Sequence, residues 1–504
     1  MKKGLFLLLF AFAFSCNHEE IIDTEQLNNK PEVLTIREGR LQFTSKESLQ
    51  NKLDELETNS FEDVYNHFQK LYKSDFLSFR PIFNSNDIEQ TQALLAEYKE
   101  RPTFTNVFQT TSNLKSKSTE DIFDSTKAII ADDEFAAFLN ENGEIQIGDT
   151  LYKYTESGLY FIHIKDEDHL NKYLSQNKSS ISNELIEDNK TKKAALTEQV
   201  KIDDKITRFR VIDNELREPI GSTGGGSTPY VLKKLPKEFK DFPETSGRQT
   251  WLGGIFGDRR AAHAYFSSHR RVKVMYFNQR YLIASRLGIE VKYQKKGTGI
   301  WSSYKADELA LGINQAFFAL DYKTSNFQKV PKSIIFYNDH AYNDHFQIIQ
   351  QTQNIGTPKF PFQDEVSITI NLPLYGWNAY SYSPEAINNM VWNIAFNQIE
   401  NLMKSLQKPM PEKISVVALS PEKLYINHID LSYRKYNSRY IKRIFNREFQ
   451  TPTIILGYNN AGQIQFKEIG GLPDLMKASA INLDFYGGAK RGDTWKGYRM
   501  IFKD

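Results

Sequence analysis

The hydrophobic positions of this chain follow two different periods. Early in the sequence, apolar residues recur every three or four positions over residues 47–57, 61–72 and 88–99, which predicts three amphipathic helices. Residues 144–154 and 159–162 instead alternate apolar and polar positions between Gly-containing turns, which predicts a small β hairpin or meander. The N-terminal region is therefore expected to be mainly helical, with a minor β element.

Apolar and polar positions alternate again over much of the C-terminal half. Its alternating segments, which predict half-buried antiparallel strands, are residues 272–277, 289–294, 366–372, 481–485 and 498–502. One predicted helix interrupts them, with Ser383 as N-cap, Pro384 in the first turn and an end before Pro409. The predicted fold class is α+β: a mainly helical N-terminal region with a small β hairpin or meander, then a β-rich C-terminal domain with one long amphipathic helix on its sheet.

The first sixteen residues carry the most specific signal in the sequence. Met1-Lys2-Lys3 is basic, and residues 4–14 form an apolar run that is too short to cross a bilayer as a helix. The run ends at Ala13-Phe14-Ser15-Cys16, which contains the only cysteine of the chain. This pattern predicts a signal peptide over residues 1–15 and a diacylglycerol group on the sulfur of Cys16. The alternative is a plain secretory signal with a cysteine nearby by chance.

The segment ending at Cys16 resembles the lipobox of bacterial lipoproteins. The following Asn17-His18-Glu19-Glu20 resembles the surface-export signal of Bacteroidota lipoproteins, and residues 132–152 resemble a module found in outer-membrane lipoproteins of that group whose function is unknown. The resemblance implies a lipid-anchored outer-membrane protein, on either the cell surface or the periplasmic face. It implies no particular chemistry.

Charge divides the chain into two halves of opposite sign. Residues 17–232 hold 25 Lys and Arg against 39 Asp and Glu, whereas residues 233–504 hold 37 against 23. A Gly-, Ser- and Thr-rich run at 221–228 lies where the sign changes, which favours a flexible linker between domains over a mobile loop within one. The charged segment 165–205 is interpreted as a solvated helix or a partly ordered arm. The predicted organisation is a signal peptide (1–15), a lipidated cysteine and tether (16–45), an acidic helical domain with a β meander (46–205), a linker (206–232) and a basic β-rich domain (233–504).

Signatures of catalysis are scarce in this sequence. It contains no Gly-rich phosphate loop of standard spacing, no Gly-x-Ser-x-Gly elbow and no His-Glu-x-x-His. The weak metal candidates come from two Asn-Asp-His repeats: Asp339, His340, Asp344 and His345. A polar turn capped by Asn and Asp side chains is the competing interpretation. No cofactor is predicted, and the question of enzymatic activity stays open, leaning against it.

Two basic stretches interleaved with Tyr and Phe are better candidates for binding. Residues 259–296 hold ten Lys and Arg against one acidic residue, and residues 433–447 carry a second basic group. The candidate ligand-binding residues are Arg259, Arg260, Arg270, Arg271 and Arg280. Arg with Tyr can clamp anionic groups, which suits sulfated or uronic glycans, lipopolysaccharide phosphates or the acidic half of this same chain. The structural alternative is a solvated sheet face that docks on that acidic half.

Together these patterns favour a membrane-anchored bacterial lipoprotein that binds or scaffolds without catalysis. Its expected partners are the membrane, through the lipid, and an anionic glycan, anionic surface or envelope protein, but not nucleic acid. The alternative is a metal- or carboxylate-dependent hydrolase of the envelope that acts on polysaccharide or protein. The ligand, the substrate and the oligomeric state do not follow from the sequence.

Overall fold

The chain folds into three large β-sheets with helices on their outer faces. The computed structural model describes residues 34–84, 86–100, 129–177, 196–212, 235–249, 254–297, 300–321, 333–351, 366–372, 384–420, 422–450, 453–458, 464–469 and 478–503. The strands of the first half are β1 (Thr35–Arg37), β2 (Arg40–Phe43), β3 (Glu144–Ile147), β4 (Thr150–Thr155), β5 (Gly158–His163), β6 (Leu196–Lys201) and β7 (Thr207–Ile212). The strands that follow are β8 (Glu244–Thr245), β9 (Arg248–Gln249), β10 (Gly257–Ser267), β11 (Arg270–Arg280), β12 (Ser285–Gly297), β13 (Ile300–Ser303), β14 (Ala306–Asp321), β15 (Ser333–Tyr337), β16 (His340–Tyr342), β17 (Ile348–Gln351), β18 (Val366–Asn371), β19 (Lys413–Leu419), β20 (Lys423–Ser438), β21 (Tyr440–Ile444), β22 (Thr453–Tyr458), β23 (Ile464–Ile469), β24 (Ala480–Arg491) and β25 (Thr494–Lys503). The α-helices are α1 (Lys46–Thr58), α2 (Phe61–Tyr72), α3 (Ile88–Glu100), α4 (Asp133–Phe138), α5 (Glu167–Gln176), α6 (Pro384–Ser405) and α7 (Phe445–Gln450).

The described residues from 34 to 212 form an α+β unit, which we call the cap. Its seven strands join in the order β1-β2-β3-β4-β5-β7-β6, with β2 and β3 parallel and the other pairs antiparallel. Helices α1 and α2 begin after Ser45 and Ser60, whose hydroxyl oxygens each accept a hydrogen bond from a backbone amide at 3.2 Å. The apolar stripe of α1, including the fully buried Leu49 and Leu53, packs into a core shared with the strands.

The expectation of a mainly helical N-terminal region is wrong. The three predicted helices exist, but they lie on a seven-stranded sheet, and over the described residues strands account for 50% and helices for 26%. Strands β1 and β2 are only three and four residues long, too short to show a clear period of two. Strand β6 lies in the charged segment 165–205, whose composition predicts a helix or an arm. It is a strand because it pairs with β7. The chain is therefore β-rich in both halves.

The second half of the chain forms a sandwich of two sheets. The six-stranded sheet runs β13-β12-β11-β10-β9 with β21 beside β12, and the ten-stranded sheet runs β17-β16-β15-β18-β19-β20-β14-β24-β25-β8. The predicted strand alternation is confirmed here, since Val272, Val274 and Ile289 face inward from one sheet and meet Leu311 and Leu483 from the other. A separate hairpin joins β22 and β23.

Helix α6 covers the outer face of the ten-stranded sheet. It connects β18 to β19, which are parallel, so the three elements form a βαβ unit inside an otherwise mainly antiparallel sheet. Val391, Phe396 and Ile399 of the helix are buried against Ile368 and Val416 of the sheet. The expectation of one long amphipathic helix on one face of the sheet is confirmed.

The cap lies on the outer face of the six-stranded sheet, the face opposite the sandwich core. The ring of Phe135 in the cap stacks on that of Tyr281 with centroids 4.5 Å apart. The Tyr154 hydroxyl donates to the backbone carbonyl of Tyr281 at 2.6 Å. Strand β7 extends the cap into the region predicted as a linker, while residues 213–234, with the Gly-rich run, lie outside the described residues.

Candidate functional site

The face of the six-stranded sheet that meets the cap is polar at its centre. Because side chains alternate along a strand, Val272 and Val274 point into the sandwich while Lys273 between them points to the cap. Lys273 in β11 lies directly opposite Lys292 in β12, and Lys292 lies opposite Tyr440 in β21. This places two buried lysines side by side beneath the cap, and such like-charged neighbours destabilise a sheet unless other charges compensate them.

The acidic residues at the start of α4 compensate much of this positive charge. Asp132 is the N-cap of the helix, and its Oδ1 accepts hydrogen bonds from the backbone amides of Glu134 at 3.0 Å and Phe135 at 3.1 Å. Its other oxygen, Oδ2, lies 3.1 Å from Nε of Arg286, and Nζ of Lys442 lies 3.3 Å from Oδ1. A fully buried carboxylate is therefore held by two cations of the sheet and two amides of its own helix.

The next two acidic residues continue the contact with the sheet. Asp133 forms ion pairs with Arg80 of the cap, at 2.7 Å, and with Lys292 of the sheet. Glu134 forms an ion pair with Lys442. The expected docking of the acidic half on the basic half is therefore present in the structure, although it involves only part of the basic side chains.

A cleft of about 90 Å³ remains between the cap and this face. Its wall from the cap includes Phe61, Val64, Arg80, Pro81, Ile82, Phe83, Asp133 and Glu134. Its wall from the sheet includes Arg259, Lys273, Lys292, Gln294, Ile300, Trp301, Ser302, Ser303 and Tyr440. The cleft thus combines cations, carboxylates, hydroxyls and aromatic rings at the boundary between the two units.

Ionisable groups in and around the cleft are strongly perturbed. Burial, together with the charge of the neighbouring Arg259, lowers the pKa of Lys273 to about 8 against the opposing effect of Asp133. Burial also raises the pKa of Glu134 to about 7, with a further contribution from the charge of Asp132. For Asp133, burial alone would raise the pKa, but Lys292 holds it well below the ordinary value. Perturbed groups lining one cleft are typical of functional sites.

The open end of the six-stranded sheet carries two aromatic side chains, each flanked by two cations. Arg271 and Lys296 lie over the ring of Trp301, with the guanidinium carbon and the ammonium nitrogen 4.3 and 5.9 Å from its centroid. On the other face of the sheet, Arg270 lies 4.0 Å from the centroid of Tyr304, and Lys295 lies 5.2 Å from it.

We call this group of six residues, with Tyr265, the cationic rim. Tyr265 makes an edge contact with Trp301 at 6.0 Å and is 53% exposed. Trp301 belongs to the rim and also lines the cleft, so the two features are continuous.

The five candidate arginines occupy different environments. Arg270 and Arg271 belong to the cationic rim, and Arg259 lines the cleft. Arg260 points the opposite way, where its Nε donates to Asp258 at 3.0 Å and its guanidinium lies 5.3 Å from the ring of Phe502. Arg280 is half-buried at the end of β11. The structure therefore places three of the five at the cleft or the cationic rim beside it, where Arg259 and Arg271 are buried.

The metal candidates lie in a hairpin and the loop that follows it. Asn338 and Asp339 have φ angles of 48° and 62° and form the tight turn between β15 and β16, and His340 begins β16. The side chain of Asn343 accepts hydrogen bonds from the amides of His345 at 2.9 Å and Gln347 at 3.0 Å, which is an Asx turn. Asp344 lies 3.8 Å from the neighbouring His345. No group of three or more possible metal-ligating side chains occurs among the described residues.

Sequence reasoning did not identify Lys273, Glu134 or Trp301 as a group. One signal was present: Met275 and Phe277 lie on the same face of the strand as Lys273, the face that the pattern assigns to solvent. Apolar residues on that face indicate that something covers it. Which acidic residues cover it could not be read from the sequence, because α4 and β11 are more than 130 positions apart.

The lipoprotein features and the comparisons complete the description. The signal peptide, Cys16 and the tether up to residue 33 lie outside the described residues. No helix within the described ranges is long and apolar enough to cross a membrane. Comparisons with protein-family models, curated proteins and solved structures found no match.

Proposed function

We propose that this protein is a lipid-anchored envelope lipoprotein of the outer membrane that binds an anionic glycan without catalysis. The lipobox-like sequence ending at Cys16 supports the anchor and the compartment. The cationic rim supports the ligand class, and it is the single observation on which the binding proposal depends. The cell surface is the proposed location, because the acidic pair Glu19-Glu20 follows the cysteine directly.

The rim combines the two kinds of group that a sulfated or uronic glycan needs. Guanidinium and ammonium groups bind sulfate and carboxylate groups, and exposed aromatic faces pack against sugar rings. The cation–π contacts of Trp301 and Tyr304 fix the directions of four cationic side chains before a ligand arrives. This preorganisation reduces the conformational entropy that binding must otherwise overcome.

Binding to polysaccharides of different charge tests this function. The protein without its leader should bind dextran sulfate and polygalacturonate but not neutral dextran, and the affinity should fall steeply with salt. Replacing both Trp301 and Arg271 by Ala should weaken binding by about tenfold or more, because it removes one of the two aromatic–cation groups. Lys201→Ala serves as control, since that side chain is 67% exposed on the cap. An affinity that does not depend on salt would contradict the proposal. So would equal binding by the double variant and the Lys201→Ala control.

The anchor is tested separately in cells. Metabolic labelling with a fatty-acid analogue should label the wild-type protein, and Cys16→Ser should abolish the label and release the protein from the membrane fraction. Protease treatment of intact cells should then degrade a surface-exposed protein and spare a periplasmic one. An unlabelled wild-type protein with its leader still attached would refute the assigned compartment.

A second function, a carboxylate-dependent hydrolase, is favoured by one observation. Asp133 and Glu134 line the same cleft, and their pKa values move in opposite directions, as in pairs where one carboxyl donates a proton while the other stays ionised. Ion pairs from both residues to lysines of the sheet give them a structural role as well, so the binding function ranks first. Release of reducing ends from the bound polysaccharide, abolished by Glu134→Gln, would establish the hydrolase instead.

A further inference from the structure

We propose that the cleft between the cap and the six-stranded sheet is an anion-binding site, in which Lys273 receives a single carboxylate or sulfate group. This deepens the proposed function and rests on it for the source of the anion, which is the charged end group of a glycan held at the cationic rim. The site itself is argued from the residues of the cleft.

Lys273 is buried in the cleft wall, and no described residue supplies a counter-ion in direct contact with it. The residue is only 4% exposed, whereas lysine is almost never fully buried unless it is paired. Among the described residues, no hydrogen bond or ion pair joins its Nζ to another group. Its neighbour Lys292 is different, because it contacts both Asp133 and Glu290. Of the two adjacent lysines, one therefore has direct counter-ions and the other has none among the described residues.

The balance of charge in the cleft leaves room for an anion. Its cationic lining residues are Arg80, Arg259, Lys273 and Lys292, against the carboxylates of Asp133 and Glu134 in the lining and of the buried Glu290 beside Lys292. The three carboxylates already have partners: Asp133 contacts Arg80 and Lys292, Glu290 contacts Lys292, and Glu134 contacts Lys442 from the neighbouring strand. An added carboxylate or sulfate would compensate the remaining positive charge, as buried charges generally require.

The size and position of the cleft fit one anionic group of a larger ligand. A volume of about 90 Å³ holds several water molecules, since one water needs only about 10–15 Å³. Ser302, Ser303 and Tyr440 supply hydroxyl groups to the same space. Trp301 lies at the boundary with the cationic rim, so a chain bound along the rim can place its terminal group in the cleft.

Binding of inorganic sulfate and of glucuronate to the whole protein tests the site by calorimetry at constant ionic strength. Wild type should bind both saturably at pH 6.5. Lys273→Met should lower the affinity by about tenfold or more, and Lys273→Arg should restore most of it, because the arginine keeps the charge. Lys408→Met, at an exposed position, is the matched control and should bind like wild type. Absence of saturable binding by wild type, or unchanged binding by Lys273→Met, would overturn the proposal.

The pH dependence gives a readout that a purely structural role would not produce. The charged and titratable groups around Lys273 on the sheet and the cap are Arg259, His263, Glu290, Lys292, Tyr440, Arg80, Asp133 and Glu134. Sulfate affinity should fall as pH rises through about 8, because the lysine loses its proton there. Ionisation of Glu134 near pH 7 should also weaken binding, and Glu134→Gln should remove only that earlier step. A flat profile in wild type between pH 6 and 9 would contradict the role of Lys273.

A variant of the cationic rim separates this site from the proposed function. Replacing Arg270 and Tyr304, two rim residues outside the cleft lining, should weaken polysaccharide binding and leave inorganic sulfate binding intact. Sulfate binding without any polysaccharide binding would refute the glycan proposal and keep the anion site. Polysaccharide binding that Lys273→Met does not weaken would refute the placement of a terminal group in the cleft.

Discussion

Replacing Lys273 by Met should stabilise this protein while it removes anion binding. The side chain of Met has nearly the same length and volume, so it can fill the space of the lysine without leaving a cavity. Only the buried charge is lost. Because the charged lysine has no direct counter-ion among the described residues, we expect its removal to be favourable.

The pKa of Lys273 gives the magnitude of this effect. Burial lowers it from 10.5 to about 8, and each pKa unit corresponds to about 1.4 kcal/mol, so the charged side chain destabilises the folded state by about 3 kcal/mol. The sign follows from the protonation states. Below pH 8 the lysine is charged in both the folded and the unfolded chain, and the full penalty applies. As pH rises from 8 to 10.5, the folded chain is already neutral at this position, and the penalty declines to zero.

Denaturant unfolding of wild type and Lys273→Met, followed by circular dichroism, measures this difference. The variant should be more stable by about 3 kcal/mol at pH 6.5 and by only about 1 kcal/mol at pH 9.5, since the penalty shrinks over that range. Lys408→Met, at an exposed position, should change the free energy of unfolding by no more than about 0.5 kcal/mol at either pH. A destabilised Lys273→Met, or a gain that does not depend on pH, would refute the reasoning.

Three further substitutions test the cap and its contact with the sheet, each by denaturant unfolding. Asp132→Asn should destabilise the fold by about 3–5 kcal/mol, because it removes one of the two buried carboxylates that pair with Arg286, the other being Glu57, and also a partner of Lys442. The wild type, in which cations hold the pKa of Asp132 far below its ordinary value, should in turn lose this stability as pH falls below about 4. Phe135→Ala should cost about 3–5 kcal/mol, since the ring is fully buried and stacks on Tyr281; a cost below about 1 kcal/mol would contradict that packing. Gly143→Ala should also destabilise the cap, because its φ is +76° and an added Cβ would lie 2.4 Å from a backbone carbonyl of β4; an unchanged midpoint would show that the turn adapts.

The local elements of this fold could largely be predicted from the sequence. Helices α1, α2 and α3, strands β3 to β5 and helix α6 lie close to the segments that the hydrophobic periods indicated. The short strands β1 and β2 and the charged strand β6 could not, because their conformation depends on pairing partners far along the chain. Because these strands were not predicted, the region expected to be mainly helical is in fact a sheet covered by helices.

The candidate site was predicted less completely than the fold. Arg259, Arg270 and Arg271 were identified from the density of basic residues, and all three lie at the cleft or the cationic rim. The charge asymmetry also indicated that the acidic half and the basic half could attract each other. Neither observation identified which acidic residue contacts which basic residue, because a count of charges carries no information about distance.

The sequence by itself determined the periods of the helices and strands, the opposite charges of the two halves and the lipobox-like start that predicts the anchor. These features depend on residues that are close together in the chain or on simple counts, so they can be identified without knowing the fold. Only the tertiary structure decided which charges neutralise one another: it placed Asp133 against Lys292 and gave the adjacent Lys273 no direct partner within the described part of the chain. Coulomb energy depends on separation in space and on burial, and both are set when the cap packs on the sheet.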